Sequence, residues 1–85
     1  MKMNQDNNTK NLYRTSDLSL CAALCVSGFV AKEIEKVNPQ RSAFVFDSSV
    51  ALEEVVAQYW QGELRVEPQV YFNQLRTLKS RIYQR

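Results

Sequence analysis

The sequence predicts a small α+β domain in which a short antiparallel sheet is packed by three helices. Three observations carry this reading. Asp17 to Gly28 reads as a helix that is apolar on nearly every side. Phe29 to Asp47 contains two β-favouring runs on either side of an Asn38-Pro39 turn signal. Two later stretches carry apolar stripes of helical period, one at i, i+3, i+4 and i+7 and the other at i, i+4, i+7 and i+11.

The apolar helix, predicted over about 17–27, organises the rest. Leu18, Cys21, Ala22 and Cys25 make one face, and Leu20, Ala23 and Leu24 fall on the opposite one. A helix of this kind must be covered all round. Crossing a membrane takes about 20 apolar residues, so the cover has to be protein. Thr15, Ser16 and Asp17 are all competent N-caps, and Gly28 stands where a left-handed residue ends a helix.

Ahead of that helix, Leu12 to Thr15 is a short β-favouring segment. The hairpin is predicted over 29–47, with a loop of about four residues at Asn38 to Arg41. Phe44 and Phe46 point to one face of the second strand and Ala43 and Val45 to the other, so both faces should be at least partly covered. Lys32, Ile34 and Lys36 alternate with Glu33 and Glu35, which marks the first hairpin strand as a sheet edge.

A second helix is predicted over about 49–61, capped within Asp47-Ser48-Ser49, striped by Leu52, Val55, Val56 and Tyr59, and closed by Gly62. A third is predicted over about 68–84, opened by Pro68 at its favoured first position. Tyr71, Leu75, Leu78 and Ile82 form its core stripe. Residues 1–10 are polar and lack an apolar core segment, so they are expected to be a disordered lead-in rather than a signal peptide or anchor. Residues 11–85 are then one domain.

Composition bounds the function. With 45% apolar and 24% charged residues, the chain belongs with ordinary globular proteins. Histidine is absent, which removes the commonest general base and neutral metal ligand. Glycine at 28 and 62 alone cannot build a phosphate-binding loop. Cys21 and Cys25 at i and i+4 have Cβ atoms about 5–6 Å apart in a helix, whereas a disulfide needs roughly 3.8 Å. They read as packing residues in a reducing cytoplasm. Glu33 and Glu35 share a strand face and could hold a divalent ion in principle, but a solvated face explains them better. An enzyme is not expected, and neither a metal nor another cofactor.

Two binding surfaces are candidates. The segment 68–85 holds Arg76, Lys79, Arg81 and Arg85 and no acid; with Lys32, Lys36 and Arg41 of the hairpin these could contact nucleic acid. Projected at about 100° per residue, however, the helical bases straddle the apolar stripe instead of forming one row. The other candidate rests on aromatics. Trp60 and Phe72 sit at the margins of their helical stripes and Tyr83 flanks the last one, which marks a core rim or a protein interface.

The residues Tyr13-Arg14-Thr15-Ser16-Asp17-Leu18, Phe44-Val45-Phe46, Tyr59-Trp60 with Gly62, Arg65-Val66 and Pro68, Tyr71-Phe72-Asn73, Leu75-Arg76 and Leu78-Lys79-Ser80-Arg81-Ile82-Tyr83 together resemble a family of short, uncharacterised bacterial and mobile-element proteins, a domain of unknown function. The resemblance covers about residues 12–84. Where such proteins usually carry aspartate before the proline, this chain has Glu67, a poorer N-cap. The resemblance implies a stand-alone accessory domain, raises the weight of a role in handling mobile or foreign DNA, and brings no catalytic residues.

The leading expectation is therefore a non-enzymatic accessory module acting by protein binding or self-association. The alternative is sequence-tolerant DNA or RNA binding by an accessory protein of a mobile element.

Overall fold

The structure is a computed structural model that describes residues 11–83. The expected tail at 1–10, the helix end at residue 84 and Arg85 lie outside them. The chain runs β1 (Leu12–Thr15), α1 (Leu18–Val26), β2 (Glu33–Asn38), β3 (Arg41–Asp47), α2 (Val50–Gln61) and α3 (Pro68–Tyr83). Three antiparallel strands in the order β1-β3-β2 form one sheet, which the three helices pack. This is the α+β class that the sequence predicts, and β2 is an edge strand as its charge alternation implies.

Each helix starts and stops for a local reason. The Asp17 carboxylate accepts from the Leu20 N–H at 3.1 Å, while the Asp17 N–H donates to Thr15 Oγ1 at 3.0 Å. Ser49 caps α2 in the same way, accepting from the Leu52 N–H at 3.0 Å. Glu67, expected from the sequence to be a poorer N-cap, caps α3: its carboxylate accepts from the Val70 N–H at 2.7 Å. At the other end, α1 and α2 close alike. Gly28 and Gly62 have φ of +103° and +75°. The N–H of the following residue reaches back to the carbonyl five positions earlier, Phe29 to Leu24 and Glu63 to Gln58. Only a residue at ease with positive φ can turn the chain so.

The hairpin differs from expectation in two details. Pairing starts at Glu33 rather than Phe29, and the turn is the pair Pro39-Gln40 rather than a four-residue loop, because Asn38 pairs with Arg41. The reason is the Asn38 side chain, whose oxygen accepts from the Gln40 N–H at 2.9 Å and closes the turn itself. A register shift between Lys36 and Asn38 absorbs the extra residue.

The core sits between sheet and helices. Leu20, Cys21, Ala22 and Leu24 of α1 meet Phe44 and Phe46 of β3, Leu52 of α2 and Leu78 of α3. Helix α1 lies between α2 and α3, and the α2–α3 connection crosses near Ala23 with Leu64 and Val66. The apolar residues Leu20 to Leu24 of this helix are thus all buried, while Ser19 stays exposed. Val45 and Ala43 are also buried although they face away from this core. On that face Arg14 of β1 reaches across β3 to Glu35 of β2, with Nε 2.9 Å from the carboxylate, so the ion pair spans the strand carrying Ala43 and Val45.

Candidate functional site

Helix α3 contains no acidic residue. Its core stripe, Tyr71, Leu75, Leu78 and Ile82, packs inward. One flank of the opposite side carries Phe72, Arg76, Lys79 and Tyr83, at i, i+4, i+7 and i+11, and all four are exposed. At about 100° per residue they stay within a narrow arc, so an aromatic ring stands at each end of a basic row. Phe72 and Tyr83 are 55% and 82% exposed. The Arg76 guanidinium lies 5.7 Å from the Phe72 ring centroid, which orients it along the stripe.

Two hollows border this row. One, of about 570 Å³, is lined by Asn73, Arg76, Thr77, Ser80 and Arg81. Arg81 is half-buried there and extends inward, its guanidinium 6.0 Å from the Phe44 ring. The other, of about 450 Å³, lies between the end of α3 and the hairpin turn, where Lys36 and Arg41 face Ile82 and Tyr83. Arg41 Nε donates to Ser16 Oγ at 3.2 Å, a neutral partner. No acid lines either hollow.

The sequence-predicted bases therefore divide. Arg76, Lys79 and Arg81 share α3, and Lys36 and Arg41 join them at its C-terminal end. Lys32 does not: it sits at the far end of the hairpin, its Nζ 2.8 Å from the Asp47 carboxylate. Arg85 lies outside the described residues. Of the aromatics proposed for a protein interface, Phe72 and Tyr83 fall on the α3 row, whereas Trp60 stands apart near the end of α2, 63% exposed. Sequence reasoning missed Asn73, Thr77 and Ser80, although their spacing at i, i+4 and i+7 beside the bases was readable as a polar stripe.

The chemistry available elsewhere is limited. Glu35 is engaged by Arg14. Among the described residues no group of three or more His, Cys, Asp or Glu side chains is placed to hold a metal ion. Both cysteines are free thiols. A hydrogen bond from Cys21 pulls the Cys25 thiol down to about 7, helped by the Ala31 N–H and the positive charge of Arg81. The same bond, with burial, pushes Cys21 upward. Cys25, the more exposed of the two, is the one to carry charge. Among the described residues no helix is long and apolar enough to cross a membrane.

No curated protein and no solved structure matches the chain. A family model does, over residues 10–84, which is nearly the whole sequence and every element of the fold. The chain belongs to the family described as domain of unknown function DUF5659.

Proposed function

We propose that the protein is a non-enzymatic binding module whose working surface is the exposed row of α3 with the hairpin turn beside it, and whose ligand is a nucleic-acid strand. One observation carries this reading: Phe72 and Tyr83 flank Arg76 and Lys79 in one exposed row on a helix without a single acid. Bases on a surface attract phosphates whatever the sequence. Exposed rings add stacking, which any unpaired base can satisfy. Lys36 and Arg41 extend the positive charge past the helix end, and Asn73, Thr77 and Ser80 line the neighbouring hollow with polar groups. The absence of histidine and of a phosphate loop favours binding over catalysis. The same reading suits an accessory protein that handles mobile or foreign DNA in the cytoplasm.

Anisotropy of a labelled single-stranded oligonucleotide, titrated across a salt series, tests it. With three or four phosphates neutralised, log K should fall against log salt with a slope of about −2 to −3. Arg76→Glu with Lys79→Glu should abolish binding, and Tyr83→Ala should weaken it without changing the slope. A chain that leaves the oligonucleotide unbound at low salt ends this reading.

A further inference from the structure

A second surface lies away from the α3 row. The α2–α3 connection does not seal the top of α1: it leaves a hollow of about 240 Å³ with Ala23 at its floor. Tyr59 and Tyr71 form walls, and Gly62, Leu64 and Val66 complete it. The polar groups gather at Ser19. Tyr71 Oη donates to the Ser19 carbonyl at 3.3 Å, with the Ser19 side chain near Tyr59. An enclosed apolar cavity of about 150 Å³ takes a benzene-sized ring, and this hollow, larger and open to the surface, has room for a bigger one.

Directly beside it stands an indole. Trp60 is the one tryptophan of the chain, it is 63% exposed, and its ring meets Tyr59 edge-on at 5.0 Å and 86°. It packs against Tyr59 but is not among the residues that line the hollow of its own chain. We infer that the hollow receives Trp60 of a second copy, in a two-fold dimer where each chain offers its tryptophan and accepts the other's. The arrangement of protrusion next to recess is what a two-fold contact needs, since one axis between them brings each against its complement. The rim is self-complementary as well. Glu63, Arg65 and Glu67 follow one another along the connection, and among the described residues Arg65 bonds the carbonyls of Gly62 and Leu64, neutral partners that leave its charge for a carboxylate across the axis. Aromatic anchors seated in such pockets dominate the energetics of interfaces. This inference stands independently of nucleic-acid binding, because it uses neither α3's basic row nor the hairpin turn.

The test uses the full chain and its single tryptophan. Sedimentation equilibrium across a concentration series should show a monomer–dimer equilibrium, and over the same range the tryptophan emission should shift to the blue and resist quenching by acrylamide. Trp60→Ala, at a largely exposed position, should weaken the dimer at least about tenfold. Leu64→Gln should weaken it with the tryptophan in place. An equimolar mixture of the Trp60→Ala and Leu64→Gln chains should associate better than either alone, since one intact tryptophan-and-hollow pair is restored. A chain monomeric at every concentration overturns the inference. So does a dimer indifferent to Trp60→Ala, or a tryptophan that remains solvent-quenched in the dimer.

Discussion

Arg81 lays its guanidinium 6.0 Å from the centre of the Phe44 ring, so a base of the outer helix is packed onto the middle strand of the sheet. Arg76, five residues earlier, stays on the surface over Phe72. Two arginines of one helix therefore have different duties. Arg81→Ala removes a partly desolvated cation–π contact and the packing of its stem, together about 1–2 kcal/mol. Arg76→Ala, at an exposed site, should stay within about 0.5 kcal/mol. Urea denaturation of both variants measures the difference; equal losses would mean that Arg81 is as solvated as Arg76.

Leu24 lies on the helix the fold is built around and is fully buried. Leu24→Ala should cost about 3 kcal/mol, the lost transfer energy plus that of the cavity left behind. For a chain of this size that is a large share of a total stability of roughly 4–13 kcal/mol. A midpoint in urea that barely moves would show that α1 is not held on all sides.

The same helix explains how much could be read without coordinates. Its all-round apolarity demanded cover on every side, which the sheet and the stripes of the two later helices were expected to supply. Caps were legible too, because Asp17, Ser49 and the two glycines act within a few residues of themselves. What escaped were relationships between distant positions. The two-residue turn depends on an Asn38 side chain closing it. The division of the bases depends on Asp47 meeting Lys32, fifteen residues apart. The hollow beside Trp60 depends on where the connection crosses α1, which no periodicity encodes.

Cys25 should titrate near neutrality. Its thiol is pulled down to about 7 by the hydrogen bond from Cys21, and the lowered value means that the thiolate, the reactive form, is already abundant at neutral pH. Alkylation by iodoacetamide should rise as pH passes through about 7 and fall roughly tenfold per unit below it. Mass spectrometry should find Cys25 modified before Cys21, which is completely buried and shifted the other way. Modification of Cys21 first would place the charge on the wrong sulfur.

Gly62 ends α2 at φ +75° and begins the connection that walls the hollow beside Trp60. Its own N–H bonds the Tyr59 carbonyl at 3.1 Å and the next N–H bonds Gln58 at 2.9 Å, so both otherwise orphaned carbonyls depend on this one left-handed residue. A Cβ placed there would meet nothing within 4 Å. Any cost of substitution is therefore conformational and not a clash. Gly62→Ala should destabilise by about 1–2 kcal/mol, the penalty of an L-residue in that region, and Gly62→Asn by less, since asparagine visits it more readily. Thermal melts of the two variants should rank them in that order. Equal melting of all three chains would mean that the helix end relaxes into another turn, and the connection would then lose the path that forms the hollow.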